Sequence, residues 1–343
     1  MHKGRWKLNP RAGQAVATVA VALLALLGFA GMAIDIGLVL IVRNEMQNAA
    51  DAAALAGASQ LYEGAPTPNW TRAQDSAAKA VTRNKVLNTA LTGGTYQTGY
   101  WNMTGTPAGM QSKTKNPLLV DDRPGIKVTI TKAAGSNGGP VSLILAPLVG
   151  ISTMNLKVTA VAVVSYPATV AQGQLMPVAI TKCLYDNYWD TPTNSPKIDP
   201  GTGQPYEFTI KSSYHTNGGP CYGGQWTSFQ TGDNNVPTVR GFIANGNPNP
   251  LSIGDSIWIE PGTKNTLFDE LPQPADVFLP VVDDVTNTHA MNVIVGFAPF
   301  HITSSIGKST KAITGHFLSG KILPVSNTGG PSYGAVSPPV LAQ

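Results

Sequence analysis

Residues 11–58 read RAGQAVATVAVALLALLGFAGMAIDIGLVLIVRNEMQNAADAAALAGA. Within this stretch, the 20 residues from Ala15 to Ile34 contain no charged side chain. As a helix they would extend about 30 Å, because an α-helix rises about 1.5 Å per residue, and this length matches the hydrocarbon thickness of a bilayer. Asp35 interrupts the apolar run, which then continues to Val42. The sequence therefore predicts a transmembrane helix over residues 15–42.

The flanks of this segment indicate its type and direction. A cleaved secretory signal has an apolar core of about 7–15 residues followed by a small-x-small site. Because the run here is longer and Ala30–Ala33 is a poor site, we favour an uncleaved signal anchor over a cleaved signal or the core helix of a soluble protein. Residues 1–14 form a tail with four basic residues and no acidic one. By the positive-inside rule, this tail is cytoplasmic and the rest of the chain lies outside.

The same helix is expected to continue beyond the membrane. No proline follows Val42 until residue 66, and seven of residues 49–58 are alanine, the strongest helix former. We therefore predict one helix over residues 10–61. Its first half would lie in lipid and its second half would project outward.

A seam of small and apolar residues repeats along this helix at a spacing of seven, as in helices that pack closely together. The predicted packing and assembly positions are Asp35, Val39, Met46, Ala49, Ala53 and Ala56. The seam could contact a partner helix or the chain's own domain, and both interpretations remain open. Asp35 is either an interfacial carboxylate with access to water or a group with a partner or packing role.

The stretch resembles the N-terminal segment of the Tad/Flp pilus-assembly TadE/TadG-like family. The resemblance rests on Gly13-Gln14 before the span, on Ala33–Gly37 and above all on residues 46–56, MQNAADAAALA. Residues 124–165 also look like this family. Type IV prepilins are cleaved after a glycine and carry glutamate at the fifth mature position, whereas cleavage after Gly13 would place Thr18 there. This departure favours the TadG-like branch.

Residues 43–165 read as a helix extension followed by a pilin-like α+β domain. Thr71 and Gln74 have the spacing of a capping box, so we predict a helix over residues 72–87. Alternating patterns predict strands at residues 96–100, 126–131 and 156–164. Pro140 is expected to open a short apolar helix that ends near Gly150.

Residues 166–325 predict a mainly β domain, because short apolar runs alternate with Gly, Pro and Asn turns. A sandwich or a barrel would fit this pattern. Residues 326–343 are expected to form a flexible tail, with a short pairing at its end. Cys183 and Cys221 lie in the outward region without a Cys-x-x-Cys pair, so we predict a disulfide between them; two free thiols are the alternative.

Composition and motifs argue against several kinds of function. The net charge of +4 is confined to the first 14 residues, so nucleic-acid binding is not expected. We predict no catalytic residues, cofactor or metal site. His215, His289, His301 and His316 are scattered, Asp121-Asp122 and Asp283-Asp284 read as loop acids, and Gly307-Lys308-Ser309 reads as a hairpin turn rather than a phosphate-binding loop.

The predicted fold is α+β, with a long N-terminal transmembrane helix that continues into a pilin-like α+β domain, followed by a mainly β C-terminal domain. The resemblance implies a structural, non-enzymatic role in Tad/Flp pilus assembly, as a minor pilin-like or anchoring subunit of the bacterial inner membrane. Its expected partners are the lipid bilayer, other pilus-assembly proteins and a second copy of the N-terminal helix. The alternative is a membrane-tethered enzyme outside the cytoplasm, or a carbohydrate-binding or adhesin module.

Overall fold

The computed structural model describes residues 10–63, 65, 67–212, 221, 223–233, 235–260, 264–283, 285 and 289–342, with only the backbone described for residues 10–14 and 212. Of the basic residues in the predicted cytoplasmic tail, Lys3, Arg5 and Lys7 lie outside the described residues, and only the backbone of Arg11 is described. The chain divides into two compact units. The first holds the chain up to Ala53 with Ala78–Thr95 and Val128–Ala160, and the second holds Ala54–Ala77, Tyr96–Lys127 and the chain from Val161 onward. Our division at residues 165 and 166 stays a prediction.

The helices among the described residues are α1 (Pro10–Ala58), α2 (Trp70–Thr82), α3 (Lys182–Tyr188), α4 (Val236–Asn245), α5 (Asn265–Phe268) and a 3₁₀ helix, Ala146–Val149. The strands are β1 (Lys85–Val86), β2 (Thr89–Ala90), β3 (Thr95–Asn102), β4 (Met110–Gln111), β5 (Asp122–Lys132), β6 (Val141–Ser142), β7 (Thr153–Met154), β8 (Leu156–Val164), β9 (Pro167–Val170), β10 (Val178–Thr181), β11 (Trp189–Asp190), β12 (Ser195–Pro196), β13 (Phe208–Ser212), β14 (Gly223–Phe229), β15 (Leu251–Ser252), β16 (Ser256–Ile259), β17 (Ala275–Val282), β18 (Ala290–Ile306), β19 (Ala312–Phe317), β20 (Lys321–Ile322), β21 (Val325–Thr328), β22 (Ala335–Val336) and β23 (Pro339–Leu341).

Helix α1 confirms the predicted long helix and ends three residues earlier than expected. It begins at Pro10, where a missing N–H costs nothing because the first N–H groups of a helix have no partner within it. From Ala15 to Ile34 every residue is exposed except Gly31. Helix α1 is long and apolar enough to cross a membrane, by length and composition alone.

The segment after Pro140 forms a hairpin rather than the predicted helix. Strands β6 and β7 pair with Val141 opposite Met154, and helical turns are limited to the 3₁₀ segment Ala146–Val149. The longer helix does not form because the N–H groups that would enter it bond elsewhere. The N–H of Leu143 donates to Ser152, and those of residues 144–146 donate to a side chain of α1.

Helix α2 is shifted from its predicted bounds of residues 72–87. The Asn69 side chain, rather than Thr71, accepts the N–H of Arg72 at 3.0 Å and so caps the first turn. After Thr82 the chain turns into the β1–β2 hairpin, in which Leu87 and Asn88 have positive φ. Helix α2 therefore ends at Thr82, and residues 83–87 of the predicted helix are not helical.

A five-stranded sheet confirms the three predicted strands as β3, β5 and β8. Its strand order is β23-β8-β5-β3-β4. Strand β23 pairs with β8, with Pro339 opposite Val164 and Leu341 opposite Ala162. Residues 326–342 are thus built into the fold instead of forming a flexible tail, because this strand completes the sheet edge and Ala335 and Val336 are buried.

The region after residue 166 contains a closed barrel, which confirms the mainly β expectation. Strands β10, β17, β18, β19, β13 and β14 pair in that order, and β14 pairs back to β10. Strand β16 joins β14 and β18 beside this ring. Alternate side chains of these strands meet in an aromatic-rich core that includes Phe208, Trp226, Phe300 and Phe317. Helices α3, α4 and α5 escaped sequence analysis because each is ten residues or shorter.

Candidate functional site

The Asp35 carboxylate holds a loop against helix α1. Asp35 is buried, and its two oxygens accept the backbone N–H groups of Ile144 at 2.6 Å, Leu145 at 3.1 Å and Ala146 at 2.6 Å. These N–H groups precede and open the 3₁₀ helix, whose N-cap residue, Leu145, provides no side-chain cap. Hydrogen bonds to an ionised acceptor are about twice as strong as neutral ones. Asp35 therefore caps this turn from another element.

The loop closes on itself through its backbone. We define the apolar loop as residues 143–151, LILAPLVGI. The N–H of Leu148 donates to Leu145, that of Gly150 to Pro147 and that of Ile151 to Ala146. Gly150 has φ +90°, a left-handed conformation that glycine adopts without a steric penalty. The apolar loop is thus a defined turn.

The apolar loop presents large aliphatic side chains outward. Ile144 is 62% exposed, Leu148 85%, Val149 77% and Ile151 57%. The sequence has no charged residue between Lys132 and Lys157, so no charge interrupts this apolar surface within the segment. Contiguous apolar surfaces of this kind usually mark contact with a protein or a membrane.

A groove of about 1310 Å³ lies between the apolar loop and α1. Its walls are almost wholly apolar, and Asp35 and Val39 are among the lining residues. It is lined by Leu24, Ala25, Leu27, Gly28, Phe29, Gly31, Met32, Asp35, Ile36, Val39, Leu40, Leu143, Leu145, Ala146, Leu148, Val149, Ile151, Thr153 and Met154. The groove can contact apolar ligands or chains, and it contains no arrangement for proton transfer.

The other predicted seam residues differ in burial. Met46, Ala49 and Ala53 are buried within the chain itself, while Ala56 is half-buried and its carbonyl accepts the Ser76 hydroxyl at 2.8 Å. This arrangement favours the interpretation in which the outer seam packs on its own domain. The structure does not bring these residues to the Asp35 groove, and contact with a partner helix stays a prediction.

Cys183 and Cys221 form a disulfide, with their Cα atoms 5.0 Å apart. Cys183 lies on α3, whose first turn is capped by the Thr181 side chain, which accepts the N–H of Leu184. The disulfide belongs to the barrel region and not to the apolar loop.

The histidines give one pairing that the sequence analysis missed. His301 and His316 lie opposite each other on β18 and β19, with ring centroids 5.1 Å apart. His301 Nδ1 is 2.7 Å from Asp276, whose other oxygen binds Lys321 at 2.6 Å. Spacing alone could not have found this pair, because Ile306 pairs with Ala312 next to the turn and a bulge between residues 302 and 304 shifts the register before His301. Within the described part of the chain, no group of three or more His, Cys, Asp or Glu could hold a metal; His215 and Asp284 lie outside it.

The Gly307–Ser309 segment is the hairpin turn that was predicted. It joins the antiparallel strands β18 and β19, and the N–H of Gly307 donates to Asp269 at 2.8 Å. A phosphate-binding loop is followed by a helix, whereas strand β19 follows this turn.

Arg123 is a buried cation that sequence analysis did not single out. It donates to Ser165, Val120 and Gly330 and lies 4.6 Å from the ring centroid of Tyr166. Burial lowers the pKa of the Arg123 guanidinium from its ordinary value. Its hydrogen bonds join segments far apart in sequence, so its role is architectural. No local pattern in the sequence marks such a residue.

Comparison with protein families matches two adjoining regions of the chain. Residues 13–60 match the Flp pilus-assembly TadE/G-like family model, and residues 56–162 match the Tad-like Flp pilus-assembly family model. The suspected Tad/Flp resemblance is therefore confirmed over these regions, which contain both Asp35 and the apolar loop. Comparisons with curated proteins and with solved structures give no match.

Proposed function

We propose that this protein is a single-pass inner-membrane component of Tad/Flp pilus assembly, a minor pilin-like or anchoring subunit. The observation that carries the proposal is the pair of adjoining pilus-assembly family regions over residues 13–162. In the same region, α1 carries a run of aliphatic side chains that are exposed in the described part of the chain. An apolar surface of this length suits the interior of a bilayer.

The basic residues ahead of the span suggest that the N-terminus is cytoplasmic and that the domains after residue 42 are periplasmic or at the cell surface. The Cys183–Cys221 disulfide suits such an oxidising compartment. The proposed partners are the lipid bilayer, other pilus-assembly proteins and, through α1, a second copy of the chain. The role is structural and non-enzymatic.

The function is tested by deleting the gene and counting surface pili by electron microscopy. We expect few or no pili, with recovery when the full chain is supplied. A chain in which residues 1–42 are replaced by a cleaved secretory signal should not restore them, because the released domains lose their anchor. Normal piliation in the deletion strain would contradict the proposal. Normal pili with lost surface attachment would instead favour an adhesin.

Topology is tested separately with alkaline phosphatase, which is active only outside the cytoplasm. A fusion after residue 60 should be active, and the fusion protein should stay in the membrane after carbonate washing. Release of a shortened soluble form would show that the span is a cleaved signal. Non-reducing peptide mapping of the same material should recover Cys183 joined to Cys221.

A further inference from the structure

We propose that the apolar loop, residues 143–151, is a second membrane contact that inserts among the phospholipid acyl chains beside the outer part of the α1 span. This inference rests on the proposed membrane span of α1. It assigns to the loop a lipid ligand and to Asp35 the role of a positioning residue.

The first step concerns depth. Asp35 lies 20 residues after Ala15, which corresponds to about 30 Å along a helix and to the hydrocarbon thickness of a bilayer. Its hydrogen bonds to residues 144–146 hold the apolar loop at this level. Gly31 supports the same placement, because a Cβ there would lie 2.9 Å from the Leu145 side chain. Residues 144–146 therefore contact α1 in the outer part of the predicted span.

The second step concerns the backbone. An irregular segment enters hydrocarbon only if its N–H groups have partners, since each unsatisfied group costs several kcal/mol. The N–H groups of residues 143–146 and of Leu148, Gly150 and Ile151 are all hydrogen-bonded, three of them to Asp35, and Pro147 has no N–H. The Asp35 carboxylate accepts these hydrogen bonds, and they offset the cost of placing its charge near lipid. These N–H groups meet the condition that lipid imposes on them.

The third step concerns the occupant of the surface. The segment that carries the exposed side chains of the loop has no charged residue between Lys132 and Lys157. Residues of the loop line the same groove as aliphatic side chains of α1 between residues 24 and 40. The apolar loop is thus continuous with the surface proposed to lie in lipid. Acyl chains are the ligand that covers both without any further partner.

The contact is measured with an environment-sensitive fluorophore on a single introduced cysteine in the full chain. The chain is reconstituted in vesicles of phosphatidylethanolamine and phosphatidylglycerol, with lipids brominated either near the headgroup or deep in the acyl chain. Leu148→Cys tests the apolar loop. Val120→Cys is the matched control, because Val120 is an equally apolar side chain, 74% exposed, beside Asp121 and Asp122. Leu27→Cys, in the middle of the span, tests the anchor.

We expect brominated lipid to quench the probe at residue 148, and shallow bromines to quench it more than deep ones. The probe at residue 27 should respond most to deep bromines, and the probe at residue 120 to neither. Quenching at residue 27 without quenching at residue 148 would overturn the lipid contact while leaving the span intact. No quenching at either position would overturn the span itself.

The positioning role of Asp35 is tested with Asp35→Asn in the Leu148→Cys background. The amide keeps the shape but offers one acceptor oxygen in place of two, so we expect reduced quenching at residue 148 and unchanged quenching at residue 27. Unchanged quenching at both positions would overturn the role of Asp35. If the variant does not fold, Asp35→Glu is measured instead; it keeps both oxygens but displaces them by one methylene from the N–H groups of residues 144–146, so we again expect reduced quenching at residue 148.

Discussion

Two halves of one helix, α1, have opposite relations to the rest of the chain. In the exposed half, residues 15–34, large side chains such as Val16, Leu24 and Phe29 lie open along the helix. In the packed half, residues 42–58, seven of the 17 residues are alanine, and one face of the helix is buried. Helix formation is continuous through both. The environment of a helix is therefore set by the size and pattern of its side chains and not by its backbone.

The difference also shows where each half obtains its stabilisation. Burial of apolar area stabilises by about 25 cal/mol per Å². The packed half buries its small side chains inside the chain, whereas the exposed half leaves its large ones for an apolar environment outside. The first three predictions below change one half at a time, and the last changes Asp122 of β5.

The largest effect is expected from two charges in the exposed half. Arginine at the centre of a membrane helix costs about 2.5–3.5 kcal/mol, so Leu23→Arg with Leu24→Arg should cost about 5–7 kcal/mol of insertion. We expect the protein to be lost from the carbonate-washed membrane fraction. Ala52→Arg, at an exposed position of the packed half, is the control and should be retained. Full retention of the double variant would break the comparison.

In the packed half, Ala53→Leu adds volume where Ala53 is fully buried. Overpacking of this kind costs about 1–3 kcal/mol, and helix propensity hardly changes. We expect a lower denaturation midpoint in detergent, while Ala52→Leu, on the exposed face, leaves the midpoint unchanged. A normal midpoint together with lost pili would show that Ala53 contacts a partner helix instead.

A smaller effect distinguishes two glycines of α1. A Cβ on Gly57 would lie 2.9 Å from the Ala73 carbonyl oxygen and 3.0 Å from Ile126, whereas nothing lies within 4 Å of one on Gly28. Gly57→Ala should be destabilising by about 1 kcal/mol net, because helix propensity offsets part of the overpacking. Gly28→Ala should not be destabilising. Thermal unfolding of both variants measures the difference, and equal effects would contradict it.

The smallest effect is a pH dependence that the exposed half should lack, since it has no titratable side chain. Burial raises the pKa of the Asp122 carboxyl, but hydrogen bonds from Lys115, the Leu119 N–H and Asn102 outweigh it, and the net shift is downward. The stability that Asp122 contributes is thus present above its ordinary pKa of about 4 and lost as pH falls through the lower folded value.

We therefore expect the midpoint temperature of thermal unfolding to decrease at pH values below about 4. The decrease should be smaller in Asp122→Asn, which carries no titrating carboxyl at this position. Membrane retention should not change over the same range. An identical pH profile in the variant would remove Asp122 from this effect.

Sequence reasoning succeeded where the information is local. The charge-free run from Ala15 to Ile34, the alanines of residues 49–58 and the alternation in β5 and β8 each determine an element by themselves. It failed where a distant group competes for the backbone. Asp35 takes the N–H groups that a helix after Pro140 would have used, and Asn69 replaces Thr71 as a cap.

The candidate site was accordingly only half predictable. Asp35 and Val39 were named from the helix, but the apolar loop that completes the site follows more than 100 residues later. A charge-free segment after a membrane span is the signal that could have found it. The six-stranded ring, the facing pair His301 and His316 and the buried Arg123 depend on register and long-range pairing, which spacing along the chain does not fix.

The pairing of β23 with β8 has a consequence for how the protein is made. The other strands of this sheet come from residues 95–164, so the edge of β8 stays open until the ribosome has synthesised almost 180 further residues, up to residues 339–341. An open edge invites pairing with other chains. An incompletely translated product would carry a membrane helix and an unprotected strand, a combination that proteases and chaperones can recognise. The late strand thus distinguishes a chain that has reached residue 341 from a truncated one.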